Sequence, residues 1–382
     1  MIHREQNYKG EKTMKKRLAG KITALISIAV LAVMMTACGK SNPGSATSAG
    51  GESTADSDIS VGIVLKTATN AHFQDIAYGA MLAGQDLGIT VRVDNTTTET
   101  DIEGQVTKIE NMISAGVDAV ILTANDSNGV SGAVNAAHDA GIPFVTADTE
   151  ITNVWGDDVK EYMPNFVGED YEELAYELAF DVCEHMGGKG NMVVLRGIDG
   201  ASSSQQRTAG IKRAIAEHPD MTIVEEQSAN YDQDTAVDTM ADIIQAHPQI
   251  DGVICCNDLM AMGAVTALEE SGLTVGGEDG VVVSGLDGNI IALQSIQEGK
   301  MYSTIYDWSM LQGYYSVVQA YQLIQGEEVP EETLTKGSII TAANVDDFLP
   351  HGEVIADWQM GKPIGDVPES IRTFFELGES LK

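Results

Sequence analysis

From Ile59 onward the sequence repeats one unit: a short continuous apolar run, then a segment with helical spacing of apolar residues. Residues 59–65 read as a strand and residues 72–87 as a helix. In the next unit Val106, Ile109, Met112 and Ile113 share one helical face before the strand Ala119-Val120-Ile121-Leu122. A third sets Val130, Ala133, Val134 and Ala137 before Ile142-Pro143-Phe144-Val145. A crossover helix forces consecutive strands to run parallel with both faces covered, and strands covered on both faces read as unbroken apolar runs. The pattern predicts a doubly wound parallel α/β domain.

The rhythm restarts after Asp170. A helix on Leu174, Leu178 and Val182 precedes the strand Met192-Val193-Val194-Leu195, and a helix follows near residues 205–217. Later strands are expected at residues 222–224, 252–256 and 281–283, with Val237, Met240, Ala241 and Ile244 marking a helix between the first two. Two such domains in tandem make a cleft, and in open parallel sheets ligands bind beyond the carboxyl ends of the strands. The loops at those ends are residues 67–73, Asp148-Thr149-Glu150, residues 196–207, Asn257-Asp258, Asp287-Gly288-Asn289 and Tyr306-Asp307-Trp308. They share carboxylates, amides and aromatics, the set that pairs planar acceptors with neighbouring hydroxyls and covers apolar ring faces of a sugar.

The leading segment sets the compartment. Lys15, Lys16 and Arg17 precede an apolar stretch over residues 22–37, whose 16 residues fall short of the roughly 20 that span a bilayer. It closes on Met35-Thr36-Ala37-Cys38, which reads as a lipoprotein export signal with Cys38 as the acylated mature N-terminus; Met14 is the more natural start. Residues 39–58, almost entirely Gly, Ser, Ala, Thr, Asp and Glu, read as a flexible tether. The body is thus expected outside the cytoplasmic membrane, held by lipid. Residues 1–37 carry seven Lys/Arg and two Asp/Glu, leaving 15 basic against 55 acidic residues, a formal charge of −40 that excludes nucleic acid as a partner.

After Cys38 there are only Cys183, Cys255 and Cys256, no disulfide framework, and no Cys or His spacing that would hold a metal. No cofactor is called for. The sequence has no Gly-x-Ser-x-Gly elbow, phosphate loop or His-Glu-x-x-His, so a binding protein is expected in preference to an enzyme.

At the cleft loops the chain resembles the periplasmic sugar-binding proteins of the ribose type, the type I solute-binding receptors of ABC transporters. The matching signatures run over residues 59–348: the loop at residues 67–73, Gly141-Ile142-Pro143 before Thr146-Ala147-Asp148, and Arg196-Gly197-Ile198-Asp199-Gly200 followed by Arg207. Cys256-Asn257-Asp258, Gly285-Leu286-Asp287-Gly288 and Asn344-Val345-Asp346 continue the series. The resemblance implies that Asn70, Phe73 and Asp148 contact a sugar from the first domain, with Asn257, Asp287 and an aromatic Tyr231 from the second. Asn257 is assigned to the ligand and Asp258 to a helix cap.

There are departures from ribose receptors. His72 replaces an aromatic, Thr149 and Gln205 stand where arginines are expected, and Asp307 replaces an amide. Fewer cations and an added carboxylate would disfavour an anion, so the ligand is expected to be a sugar or polyol, with an amino sugar as the sharper alternative. Trp155 and Trp308 are candidate extra stacking surfaces.

The family topology implies an N-terminal domain of residues 59–169 plus 308–335 and a C-terminal domain of residues 170–307 plus 336–382, the latter carrying an extension from His351. Three chain crossings would form a hinge. The expected partner is an ABC transporter permease, with a membrane sensor as the alternative, and the expected state is a monomer.

Overall fold

A computed structural model describes residues 59–151, 163 and 165–359. The export signal, Cys38, the tether, Trp155 and the last part of the C-terminal extension lie outside the described residues.

Among the described residues there are twelve strands and ten helices. In the first lobe β1 (Ser60–Leu65), β2 (Thr90–Asn95), β3 (Ala119–Leu122), β4 (Phe144–Ala147) and β5 (Phe166–Glu169) alternate with α1 (Ala71–Leu87), α2 (Ile102–Ser114) and α3 (Ser131–Asp139). The second lobe repeats the scheme with α4 (Tyr171–His185), β6 (Lys189–Arg196), α5 (Ser202–Ala216), β7 (Asp220–Ser228), α6 (Gln233–Ala246), β8 (Gly252–Cys255) and α7 (Asp258–Glu270). It continues through β9 (Val282–Ser284), α8 (Ile290–Gln297) and β10 (Ser303–Tyr306). Then come α9 (Ser309–Ile324), β11 (Glu332–Thr335), β12 (Ser338–Thr341) and α10 (Val345–Gln359).

The two sheets have one plan. Their orders are β2-β1-β3-β4-β5-β11 and β7-β6-β8-β9-β10-β12, so each edge strand β11 or β12 is supplied by chain that has left its own run of βα units. All pairings are parallel except β10 with β12. In the first sheet successive residues of one strand serve opposite cores: Val61, Ile63 and Leu65 pack under α1 and α9, while Val64 packs with Val120, Leu122 and Ile109 on the other face. The reading from sequence passed over β2. As an edge strand it buries only Val91 fully, so Thr-Val-Arg-Val-Asp-Asn lacks the continuous apolar run that marked its neighbours.

Helix α1 begins where the Asn70 side chain accepts from the backbone N–H of His72 and ends on Gly88 in the left-handed conformation. It packs on α9 at backbone contact. A methyl group on Gly79 would fall inside the Met310 carbonyl, and one on Gly313 inside that of Ile76. This close seam fixes α1, and hence the loop before it, against the first sheet.

Candidate functional site

The carboxyl ends of β1, β2, β4, β6, β7, β8 and β9 converge on a small cavity between the lobes. The first lobe contributes Lys66, Asn70, His72, Phe73, Glu99 and Asp148; the second contributes Ser203, Arg207, Tyr231, Asn257 and Asp287. Asp307, at the end of β10, closes the charged ring from beneath, 3.0 Å from His72 Nδ1 and 3.7 Å from Arg207 Nη2.

The charges meet in pairs. Lys66 Nζ lies 2.9 Å from Asp148 Oδ2, and His72 Nε2 lies 2.8 Å from Asp148 Oδ1. The Thr149 hydroxyl donates to Asp148 Oδ2 at 2.7 Å, and Tyr171 donates to Oδ1 at 3.3 Å. Across the cavity Arg207 Nη1 donates to Asp287 Oδ1 at 2.8 Å and to the Cys256 carbonyl at 2.7 Å, with its guanidinium 4.8 Å from the Tyr171 ring centre. The Lys66 ammonium sits 5.3 Å from the Phe73 ring centre and 5.8 Å from that of Tyr231. These charged groups are all nearly inaccessible to solvent, where paired and hydrogen-bonded charge is tolerated and lone charge is not.

Burial pulls the His72 pKa down, but Asp307, Asp287 and Asp148 outweigh it and hold the imidazole well above its ordinary value. The carboxyl of Asp148 would rise by burial; Lys66 and His72 drive it well below the usual carboxylate range instead. Asp287 is raised by burial to about 6 despite the opposing pull of Arg207 and His72, and Glu99 is raised by burial to about 7. His72, Asp287 and Asp307 bring ligand atoms within 4.8 Å of one another, a spacing a metal could bridge, but Arg207 already supplies the positive charge those carboxylates face.

Backbone strain concentrates here as well. Of the five non-glycine residues with positive φ among the described residues, Asp148 (60°), Tyr231 (61°) and Asp287 (116°) line the cavity and Trp308 (51°) follows Asp307. Such conformations persist only where the surroundings enforce them, and they aim these side chains inward.

The lobes touch along the lips of the cavity. Ser127 N–H donates to the Gly200 carbonyl at 3.0 Å, Ser202 N–H to Ser127 Oγ at 2.9 Å, and Ser202 Oγ to the Glu150 carbonyl at 3.1 Å. Deeper in, Thr149 and Ser203 hydroxyls are 3.0 Å apart, and Asn289 Nδ2 donates to Asn70 Oδ1 at 3.4 Å. This is a closed cleft.

Residues 61–328 match the family model described as the periplasmic binding protein domain. The chain belongs to this family. This binding protein is 28% identical over 252 residues to the xylitol-binding protein of Mycolicibacterium smegmatis, covering 66% of this chain and 69% of that one. With the ribose import binding protein of Bacillus subtilis it shares 27% over 272 residues, 71% of this chain and 84% of the other. Among solved structures, an ABC transporter periplasmic solute binding protein from Actinobacillus succinogenes with bound D-allose superposes with a TM-score of 0.69 at 32% identity, covering 76% of this chain and all of that one. A solute binding protein from Bacillus halodurans with bound myo-inositol gives 0.67 at 27%, covering 76% and 97%. The fold is that of two parallel-sheet α/β domains close to these type I receptors.

Several residues of the binding protein sit differently from the sequence reading. Gln205 is exposed and donates to the Asp199 carbonyl, about half a helical turn round α5 from Arg207, which enters the cavity. Asn257 is itself the cap of α7, accepting from Met260 N–H at 2.9 Å while still lining the cavity; Asp258 is fully buried and accepts from Asn289 N–H and Thr304. The cap of α7 is thus Asn257 and not Asp258, and Asn257 keeps its place at the cavity as well. Thr149 is buried as a brace for Asp148. Trp308 packs on Tyr306, Phe348 and His351, away from the cavity.

The cleft has not been stripped of cations either, because Lys66, absent from the sequence-based set, stands at its centre. A lysine directly ending the fully apolar run of β1 was the available signal. Glu99 and Ser203 were also missed; the first comes from a polar loop and the second from the first turn of α5, in a run of three serines, with nothing to set either apart in the sequence.

Proposed function

We propose that this chain captures a neutral sugar or polyol in the interlobe cleft and delivers it to the permease of an ABC transporter. The observation that supports this most directly is the pairing of charge inside the cavity. Lys66 faces Asp148, Arg207 faces Asp287 and His72 faces Asp307, while the fourth carboxyl, Glu99, accepts from Asn70 Nδ2 and is raised by burial to about 7, so an anion finds no unmatched cation and an amine little unmatched negative charge. Hydroxyl groups, which donate and accept, fit such an array: carboxylate oxygens take their protons while ammonium and guanidinium N–H groups reach their lone pairs. Phe73 and Tyr231 supply ring faces for the apolar side of the solute. An amino sugar is the less favoured ligand for the same reason.

The reading is of binding without catalysis. Burial pushes the Cys255 and Cys256 thiols up, away from the thiolate form, and the Ser203 hydroxyl in the cleft meets only Thr149 and Tyr231, neither a base. The protein works as an extracytoplasmic monomer tethered through lipid on Cys38; Cys38→Ala should then release it from the membrane fraction.

Thermal-shift titration with D-ribose, D-allose, xylitol, myo-inositol and glucosamine tests the ligand class, because a solute that binds only the folded form raises Tm by mass action. A saturable rise with one or more neutral polyols, absent in Asp148→Ala and Asp287→Ala, is expected. A response to glucosamine alone, or to none of the five, would overturn it.

A further inference from the structure

The hydrogen bonds of the cavity leave one carboxyl of the first lobe unfilled. A carboxylate accepts at about four positions, and on Asp148 protein donors take them all: His72 and Tyr171 on Oδ1, Lys66 and Thr149 on Oδ2. Asn70 Oδ1 already receives the His72 N–H and Asn289 Nδ2. Glu99 differs. Its Oε1 accepts from Asn70 Nδ2 at 3.2 Å, its Oε2 has no donor, and no cation lies within ion-pair distance of it among the described residues. Among the described first-lobe residues that line the cavity, Glu99 Oε2 is thus the side-chain acceptor that no protein group fills. The loop from β2 to α2 is built to hold it there. Gln105 and Asn125, both buried, bond each other, Gln105 Nε2 to Asn125 Oδ1 at 2.9 Å and Asn125 N–H to Gln105 Oε1 at 2.8 Å. Asn125 Nδ2 then donates to Thr96 Oγ1 at 3.2 Å and to the Thr98 carbonyl at 3.4 Å, and Thr67 Oγ1 donates to the Thr97 carbonyl at 3.4 Å. These bonds tie residues 96–98 to the chain just beyond β1 and β3, so the Glu99 side chain, 9% exposed, enters the cavity from a braced backbone. An acceptor held in an enclosed site is costly to leave unmet, and a solute hydroxyl supplies the missing donor.

We propose that Glu99 is a specificity-determining residue of the cleft, its Oε2 accepting a hydrogen bond from a hydroxyl of the bound solute. This rests on the reading of the cleft as a site for a sugar or polyol. Asp287 Oδ2, likewise without a donor, offers the corresponding acceptor on the second lobe. The solutes selected are those that set one hydroxyl on each lobe at once; a solute lacking the hydroxyl that faces Glu99 leaves this carboxyl unmet and binds less tightly. Burial, with Asp148 and Asp287, pushes the Glu99 carboxyl up to about 7 against the pull of Lys66 and the Asn70 bond. It therefore ionises across neutral pH, and the carboxylate accepts more strongly than the acid. Solute bound to the ionised form favours ionisation, so the contribution of Glu99 to affinity grows as pH rises.

Calorimetric titration of the full chain with D-ribose, D-allose, xylitol and myo-inositol at pH 6 and pH 8, in wild type, Glu99→Gln and Glu99→Ala, tests this. Glu99→Gln keeps an acceptor for Asn70 and turns the outer oxygen into a donor. For each solute that binds the wild type, both variants should lose about tenfold in affinity at pH 8 and less at pH 6. The ligand-free Tm of Glu99→Gln at pH 8 should not fall below that of the wild type, whereas loss of a residue that merely braced the loop would lower it. Affinities of both variants within about twofold of wild type at pH 8, a loss equal at the two pH values, or a loss that tracks a fall in ligand-free Tm would overturn the role of Glu99. A wild type that binds none of the four solutes would instead sink the polyol reading, and this inference with it.

Discussion

Replacing Arg207 by Met keeps an unbranched stem in the cleft and removes only the guanidinium. What is lost is the 2.8 Å pair with Asp287, the 2.7 Å bond to the Cys256 carbonyl and the stack on Tyr171. What remains is the Asp287 carboxylate, 5% exposed, beside Asp307 with its main cation gone. Removing one member of a buried pair costs about 3–5 kcal/mol, because the other charge is left uncompensated. For lobes of this size that corresponds to a fall in Tm of roughly 6–20 °C.

The cost should depend on pH. Asp287 already has a pKa of about 6 with Arg207 present, and losing that cation moves it further up. A group whose folded pKa exceeds its unfolded one stabilises below the unfolded value and loses that contribution as pH rises through the folded value. The deficit of Arg207→Met should therefore be small at pH 5, where Asp287 is protonated, and full at pH 8. Thermal melts at the two pH values, with Asp287→Asn and the double variant completing a cycle, measure this directly. Equal deficits at pH 5 and 8, or additivity of the two substitutions, would refute the argument that Arg207 acts by neutralising Asp287.

Other consequences follow from the same geometry. His72 has a folded pKa well above 6.5, so its stabilisation is complete below 6.5 and fades as pH rises through the folded value; Glu99 and Asp75, raised to about 7 and about 8, lose their neutral forms in the same direction. Tm should thus fall between pH 6 and 9, and His72→Phe should flatten that fall in a pH series of melts. Lys66→Met should leave Asp148 with His72 as its only remaining cation and weaken solute binding at least about tenfold by calorimetric titration, in keeping with the 1.5–3 kcal/mol of a charged hydrogen bond. Gly79→Ala should destabilise by about 1–3 kcal/mol in denaturant melts, since α1 and α9 must separate to admit the methyl group. Gly132→Ala in α3, which meets nothing within 4 Å, should instead stabilise by about 0.5–1 kcal/mol.

The parallel sheets were legible in the sequence because burial on both faces writes itself as continuous apolar runs: β3 and β8 are buried at every position. Loops at the carboxyl ends of those strands then follow from topology, and the resemblance to ribose-type receptors singled out Asn70, His72, Phe73, Asp148, Arg207, Tyr231, Asn257 and Asp287, all eight of which line one cavity. Edge strand β2 escaped because half-burial leaves a mixed polar sequence.

Rotation about a helix axis, and the pairing of charges across a gap, are not periodic features of the chain. Gln205 and Arg207 are two positions apart, and only packing of α5 against α4 decides that one faces solvent and the other Asp287. Likewise Asn257 and Asp258 are chemically alike as caps, and it is the approach of Asn289, at the start of α8, and of Thr304 on β10 that takes Asp258 into the interior. The sequence by itself determined the sheet-building alternation and the composition of the cleft loops, since both are local consequences of burial and strand polarity. Tertiary structure alone decided which cation meets which carboxylate, because those pairings depend on distances between residues that the chain separates by dozens to hundreds of positions.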